Sequence, residues 1–286
     1  MIINQVAVIG AGQMGSGIAQ VAAQAGCQVR LYDAEAERIT KALTGIEKQL
    51  ASGIVKGKWT QEQAEQASVR IVAAGSLQEA AEGVDLVIEA IIESMPAKKT
   101  LLAQLDHLAQ AHTILASNTS SLPVTELASV TSRPERVIGM HFMNPVPVMK
   151  LIEVIRGLRT SNDTYTSVAE LAERMGKTAL EVRDFPGFVS NRILMPMINE
   201  AVYTLYEGVA SIEAIDGVMR LGMNHPMGPL ALADLIGLDT CLAIMETLHD
   251  GFGDSKYRPC PLLRSYVHAG WLGRKSGRGF YTYEGG

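Results

Sequence analysis

The chain has 286 residues, long for one domain and comfortable for two. With 47% hydrophobic and 19% charged residues it has the composition of a globular protein, which excludes a disordered or fibrous chain. A net charge of −5 argues against nucleic-acid or anionic-membrane binding, and no apolar run reaches the roughly 18–20 residues of a membrane span.

Residues 1–4 lead directly into a strand, so no signal peptide is expected. Gln5–Ile9 is predicted as a short strand of the kind buried in a parallel sheet. It runs into Gly10-Ala11-Gly12-Gln13-Met14-Gly15, followed by a helix over 13–25 that Gly26 stops. Gln28–Tyr32 is the next strand, ending at Asp33. The parts form a dinucleotide fingerprint. Gly10 serves the strand-to-helix turn, Gly12 lets backbone approach a pyrophosphate, and Gly15 lets helix pack on strand. Gln13 and Met14 open the helix whose N-terminal amides face the phosphates. Asp33 suits an adenosine ribose and repels a 2′-phosphate, which favours NAD over NADP. FAD uses the same fingerprint, so the motif alone does not specify a nicotinamide.

Residues 37–67 are polar and helical, with Lys56-Gly57-Lys58-Trp59 at a helix–helix turn. That basic cluster is either a solvated turn or a contact for a polyanion. A strand over 84–92 places Glu93 just past its end, with Lys98 nearby, on the ligand side of an open α/β sheet. A strand over 113–116 closes on Ser117-Asn118-Thr119-Ser120-Ser121, and one over 137–140 closes on His141. Ser120 and His141 are therefore expected just past C-terminal strand ends. A strand over 150–155 carries Glu153, an amphipathic helix covers 163–176, and a last strand covers 178–182. Asp184-Phe185-Pro186-Gly187 breaks the pattern, and only helical periodicity follows before a short tail at 279–283. The expected fold is α/β: a Rossmann-type doubly wound sheet over 1–185 and a smaller all-α domain over 186–286. Met195, Met197, Met219, Met223 and Met227 are expected in a helical core or subunit contact.

A histidine suits proton transfer because its ordinary pKa, about 6.5, lies near working pH. Taken singly, each candidate also has a structural explanation. His141 fits a core histidine bonded to a carbonyl, Glu153 an ion pair with Lys150, Ser120 a helix N-cap, and Asn191 a helical cap. No GxSxG elbow or P-loop is present, and no pair among the other histidines has zinc spacing. The cysteines, Cys27, Cys241 and Cys260, also lack metal-ligand spacing, so no metal is expected. Their odd number points to a reducing, cytoplasmic compartment.

In order along the chain stand the fingerprint, Ser117 to Ser121, the stretch from His141 to Glu153, and Asp184-Phe185-Pro186-Gly187-Phe188-Val189-Ser190-Asn191-Arg192. Pro226-Met227-Gly228-Pro229 and the segment 273–281 complete the set. With these motifs the whole chain resembles the L-3-hydroxyacyl-CoA dehydrogenases, and by its length the bacterial single-function 3-hydroxybutyryl-CoA dehydrogenases. The resemblance implies His141 as general base, paired with Glu153, with Ser120 and Asn191 contacting the reacting part of substrate and cofactor. It implies cofactor contacts at Glu93, Lys98, Asn144 and Lys275, and a coenzyme A contact at Lys56. Met143 stands where relatives often carry an aromatic residue. The implied partners are NAD, an acyl-CoA substrate held between the domains, and a second copy joined through the helical domain. A free hydroxy-acid substrate, a 3-hydroxyadipyl-CoA-like substrate and a non-catalytic NAD-binding protein remain alternatives.

Overall fold

A computed structural model describes residues 1–283, which form two compact units, the first Met1–Asp184 and the second beginning at Phe185. The first unit runs β1 (Gln5–Ile9), α1 (Gln13–Gln24), β2 (Gln28–Tyr32), α2 (Ala36–Val55), α3 (Gln61–Val69) and β3 (Ile71–Ala73). It continues through α4 (Leu77–Ala81), β4 (Leu86–Glu89), α5 (Met95–Leu108), β5 (Ile114–Ser117) and α6 (Val124–Ala128). It ends with β6 (Val137–Phe142), β7 (Leu151–Arg156), α7 (Asn162–Arg174) and β8 (Thr178–Arg183). The eight strands form one sheet in the order β3-β2-β1-β4-β5-β6-β7-β8. Every pairing is parallel except β6 with β7. Every residue of β4 and β5 is buried, as central parallel strands require. The strand order reverses between β1 and β4, and the crevice beyond their carboxyl ends is where such sheets take ligands. This is the Rossmann-type architecture.

Two strand ends need correction. The strand expected over 84–92 is β4, which ends at Glu89, so Glu93 stands four residues past it instead of just beyond its end. β6 does not stop at Met140 but continues to Phe142, so His141 lies within the strand instead of past its end. The ladder with β7 persists to Phe142 opposite Ile152, and the Phe142 amide donates to Asn118 Oδ1 at 2.9 Å. The short elements β3, α4 and α6 had no sequence signal, because three to five residues are too few to show a period.

The second unit is helical: α8 (Ser190–Tyr206), α9 (Ile212–Gly222), α10 (Pro229–Ile236), α11 (Leu238–Phe252) and α12 (Pro261–His268), followed by isolated bridges joining Arg278 to Gly273 and to Thr282. Its core gathers Met195, Ile198, Val202, Leu230, Leu238, Met245, Leu248 and Leu263. Of the methionine run only Met195 is core. Met223 is 61% exposed, while Met197, Met219 and Met227 line apolar grooves at the surface. Among the described residues no helix is long and apolar enough to cross a membrane.

Two buried carboxylates organise this unit. Asp216 accepts from the Leu230 and Ala231 amides at 2.8 and 2.9 Å, capping α10, and from the Tyr281 hydroxyl at 2.9 Å. Asp234 accepts from the Phe280 and Tyr281 amides, both at 2.9 Å, and from the Tyr283 hydroxyl at 3.0 Å. Gly279 permits this approach, since a Cβ there would lie 1.9 Å from Asp234 Oδ1. Burial and the adjacent carboxylate push the Tyr283 phenol up to about 12 and raise that of Tyr281 as well, so both remain donors. Asp234→Ala should therefore lower unfolding free energy by about 3 kcal/mol in urea denaturation, because three bonds to a buried anion are lost. A loss below about 1 kcal/mol would contradict this role.

Candidate active site

The fingerprint loop occupies the crevice between β1 and β4. Gly10 has φ +105°, and a Cβ there would lie 2.6 Å from the Ala90 carbonyl oxygen just after β4. A Cβ on Gly15 would lie 1.7 Å from the Gly10 oxygen, so the helix can meet the turn only without a side chain. At Gly12, the N-cap of α1, a Cβ would meet nothing within 4 Å. No side chain caps α1 and no acid stands in its first turn. Open space before an uncapped helix N-terminus fits a phosphate, which the amides and helix dipole favour. Asp33, just after β2, accepts from the Ala11 amide at 2.8 Å and the Glu35 amide at 3.0 Å. Its carboxylate is thereby fixed beside the same loop, where it fits a ribose diol. Gln13 Nε2 donates to Asn144 Oδ1 at 3.1 Å, so two predicted cofactor positions meet.

A charge network lies beyond β4 and β5. Glu89 ends β4 and is fully buried, accepting from Lys98 Nζ at 2.6 Å, the Ile91 amide at 2.7 Å and Ser117 Oγ at 2.5 Å. Lys98 Nζ also pairs with Glu93 Oε2 at 3.4 Å. The Lys98 side chain is only 1% exposed whereas that of Glu93 is 38% exposed. Both were expected at the cofactor, but Glu93 is at the surface and Lys98 lies behind it. Glu93 Oε1 accepts from Thr119 Oγ1 at 2.6 Å, from the Ser120 and Ser121 amides at 2.8 and 3.1 Å, and from Ser121 Oγ at 3.2 Å. The Ser120 loop therefore hangs from one carboxylate. Ser120 is not the N-cap of α6, which begins after Pro123 and whose first amides bond Asp184 at 3.0 and 2.6 Å. Glu89 was not singled out from sequence. An acid inside the apolar run 84–92, which was read as strand, was the signal available.

His141 on β6 and Glu153 on β7 stand directly opposite in the antiparallel register. Opposed residues of such a pair share a face, with Cβ atoms about 5 Å apart. His141 Nδ1 lies 2.8 Å from Glu153 Oε2, and the residues are 7% and 2% exposed. A buried carboxylate thus faces the imidazole of His141, while Lys150 is exposed. Against an ionised carboxylate, which only accepts, a neutral imidazole carries its hydrogen on Nδ1 and its lone pair on Nε2. The arrangement can take up a proton at Nε2 and stabilise the resulting imidazolium.

The remaining candidates are distributed as follows. Lys56 caps the end of α2 and is exposed, as is Lys58, on a turn pinned by Trp59 Nε1 donating to the Leu50 carbonyl at 2.7 Å. Met14 is partly buried in α1. In the second unit, Asn191 is buried in the first turn of α8, and exposed Lys275 donates to Asp239 at 2.7 Å. The glycine geometry separates two effects: Gly12→Ala should fold with unchanged Tm but weaken NADH binding by roughly tenfold, while Gly15→Ala should lower both. Thermal denaturation with fluorescence titration reads the difference, and equal Tm losses in both variants would contradict it.

Residues 5–185 match the NAD binding domain of 3-hydroxyacyl-CoA dehydrogenase, and residues 187–283 match its C-terminal domain. The chain is 66% identical over 284 residues to a probable 3-hydroxybutyryl-CoA dehydrogenase of Bacillus subtilis, covering 99% of each chain. It is 54% identical over 284 residues to a 3-hydroxybutyryl-CoA dehydrogenase of Bradyrhizobium diazoefficiens, covering 99% of this chain and 97% of that one. The crystal structure of (S)-3-hydroxybutyryl-CoA dehydrogenase from Ralstonia eutropha matches with a TM-score of 0.96 at 49% identity, covering 99% of this chain and 100% of that one. The fold, the dinucleotide cradle and these matches along the full length agree: the chain belongs to the 3-hydroxyacyl-CoA dehydrogenase family and is an NAD-dependent dehydrogenase.

Proposed function

We propose that this enzyme oxidises the 3-hydroxyl of short-chain L-3-hydroxyacyl-CoA, such as 3-hydroxybutyryl-CoA, and in reverse reduces acetoacetyl-CoA. The buried His141–Glu153 pair is the observation that carries this reading. NAD, when bound, supplies the hydride acceptor. His141 Nε2 removes the hydroxyl proton, and Glu153 holds the imidazole in the required tautomer and balances its positive charge. In reduction, protonated His141 returns that proton to the C3 oxygen. Ser120, held through its amide by Glu93, is proposed to hydrogen-bond the C3 oxygen, and Asn191 is proposed as a further substrate contact. Gly10, Gly12, Gln13, Met14, Gly15, Asp33, Glu93, Asn144 and Lys275 are proposed for the cofactor, with Lys98 acting through Glu93. Lys56 is proposed to meet a coenzyme A phosphate.

The three buried, unbridged cysteines suit a cytoplasmic enzyme. A second copy is proposed to cover exposed apolar residues of α8 and α9, among them Ile193, Val218 and Leu221, which are 66%, 61% and 86% exposed.

Acetoacetyl-CoA should consume NADH, read as loss of its absorbance band, and binding without turnover would contradict the assignment. His141→Gln should lower kcat by about 10³-fold with NADH affinity held within about twofold. Oxidation needs neutral His141 and reduction needs it protonated. Lys56→Ala should raise KM for acetoacetyl-CoA by roughly tenfold, since a charged contact is lost. It should leave KM for the pantetheine thioester, which lacks the nucleotide phosphates, unchanged, and equal effects on both substrates would contradict a phosphate contact.

A further inference from the structure

Lys177 is a buried ammonium that the proposed reaction does not use. It immediately precedes β8 and is 7% exposed. Its Nζ donates to the Val146 and Met149 carbonyls, both at 2.7 Å. Burial pushes its pKa below the usual lysine range, and the other charge bearing on it, Lys150, repels it. Among the described residues no carboxylate pairs with it. A charge buried on carbonyls alone is costly, and an apolar side chain of similar length would fill the same room without that cost. The two bonds are therefore informative about what the residue holds.

Both carbonyls belong to the connection 143–150, which joins β6 to β7. Within it the Val148 and Met149 amides both donate to the Pro145 carbonyl at 3.0 Å, closing a compact turn. Lys177 ties the first and last parts of that turn from one side. On the other, Val146 packs against α1 where Gly17 leaves room, because a Cβ on Gly17 would lie 2.8 Å from Val146 Cβ. One residue before Pro145, Asn144 meets Gln13 of the fingerprint. The connection is thus clamped between the buried ammonium and the helix that opens the dinucleotide cradle.

We propose that Lys177 is a positioning residue whose ammonium, through the Val146 and Met149 carbonyls, fixes the connection 143–150 and so sets where Asn144 meets the nicotinamide cofactor. It touches neither substrate nor cofactor. The proposal rests on the assignment of Asn144 to the cofactor.

The test is a double-mutant cycle in the full-length enzyme, combining Lys177→Met with Asn144→Ala. NADH affinity is read by fluorescence titration, turnover by steady-state kinetics, and the connection by amide hydrogen exchange in the protein without cofactor. Lys177→Met should weaken NADH binding and raise KM for NAD, each by roughly tenfold, with kcat held within about twofold. The Val148 and Met149 amides should exchange faster. Added to Asn144→Ala, the lysine change should cause little further loss of affinity. Lys177→Gln, which keeps an uncharged donor, should show a smaller loss, and it carries the cycle should the methionine variant not fold. Unchanged NADH affinity with only a lowered Tm would overturn the proposal, as would losses that simply add. If Asn144→Ala alone left NADH affinity unaltered, the Asn144 contact would fall first and this proposal with it, a result distinct from additivity.

Discussion

The register of β6 on β7, from Gly139 opposite Ile155 to Phe142 opposite Ile152, sets His141 against Glu153, and the candidate chemistry depends on that alignment. It is the one antiparallel pairing in a sheet that is otherwise parallel. Parallel neighbours need a crossover of a dozen or more residues, so a base and its carboxylate only twelve positions apart require a direct return of the chain. A slip of one residue would turn Glu153 to the opposite face and leave His141 without its acceptor. Several contacts secure the alignment. Asn118 at the end of β5 takes the Phe142 amide, and the connection 143–150 is held on Lys177 and against α1.

A second device recurs through both units: a carboxylate that accepts backbone amides and thereby fixes a loop. Glu93 holds residues 120–121, Asp33 holds Ala11, and Asp184 holds the start of α6. In the second unit Asp216 holds 230–231 and Asp234 holds 280–281. Charge-assisted bonds of this kind are short and roughly twice as strong as neutral ones, so a few acids define loops that carry little secondary structure. The motifs by which the family is recognised, 117–121, 226–229 and 273–281, lie at or beside these anchors. Glu89 extends the device inward. Through Lys98 it steadies Glu93, and the three side chains together carry one surplus negative charge behind the Ser120 loop.

The first thirty-three residues were legible to within a residue, because glycines at 10, 12 and 15 and a stop at Gly26 leave the backbone few choices. The turn at Lys56-Gly57 was legible for the same reason, with Gly57 at φ +66°. The end of β6 was not, since a polar histidine interrupts an apolar run and only the partner strand reveals that the ladder continues. Periodicity marks β6 and β7 as strands but carries no information on direction, so the His141–Glu153 pairing came from resemblance before geometry supplied its reason. The burial of Lys98 and of Lys177 escaped for a common cause. A lysine near a loop reads as solvated, and its burial depends on carboxylates or carbonyls distant in sequence. Glu89 was hidden within a strand whose other residues are apolar.

In the proposed reaction strand register, through Glu153, prepares the tautomer of His141 for proton transfer. Nitrogen chemical shifts of the neutral His141 ring in ¹⁵N-histidine-labelled enzyme are the direct test. Hydrogen is expected on Nδ1 with Nε2 unprotonated, and the preference should be lost in Glu153→Ala. Hydrogen on Nε2 in the native enzyme would contradict it.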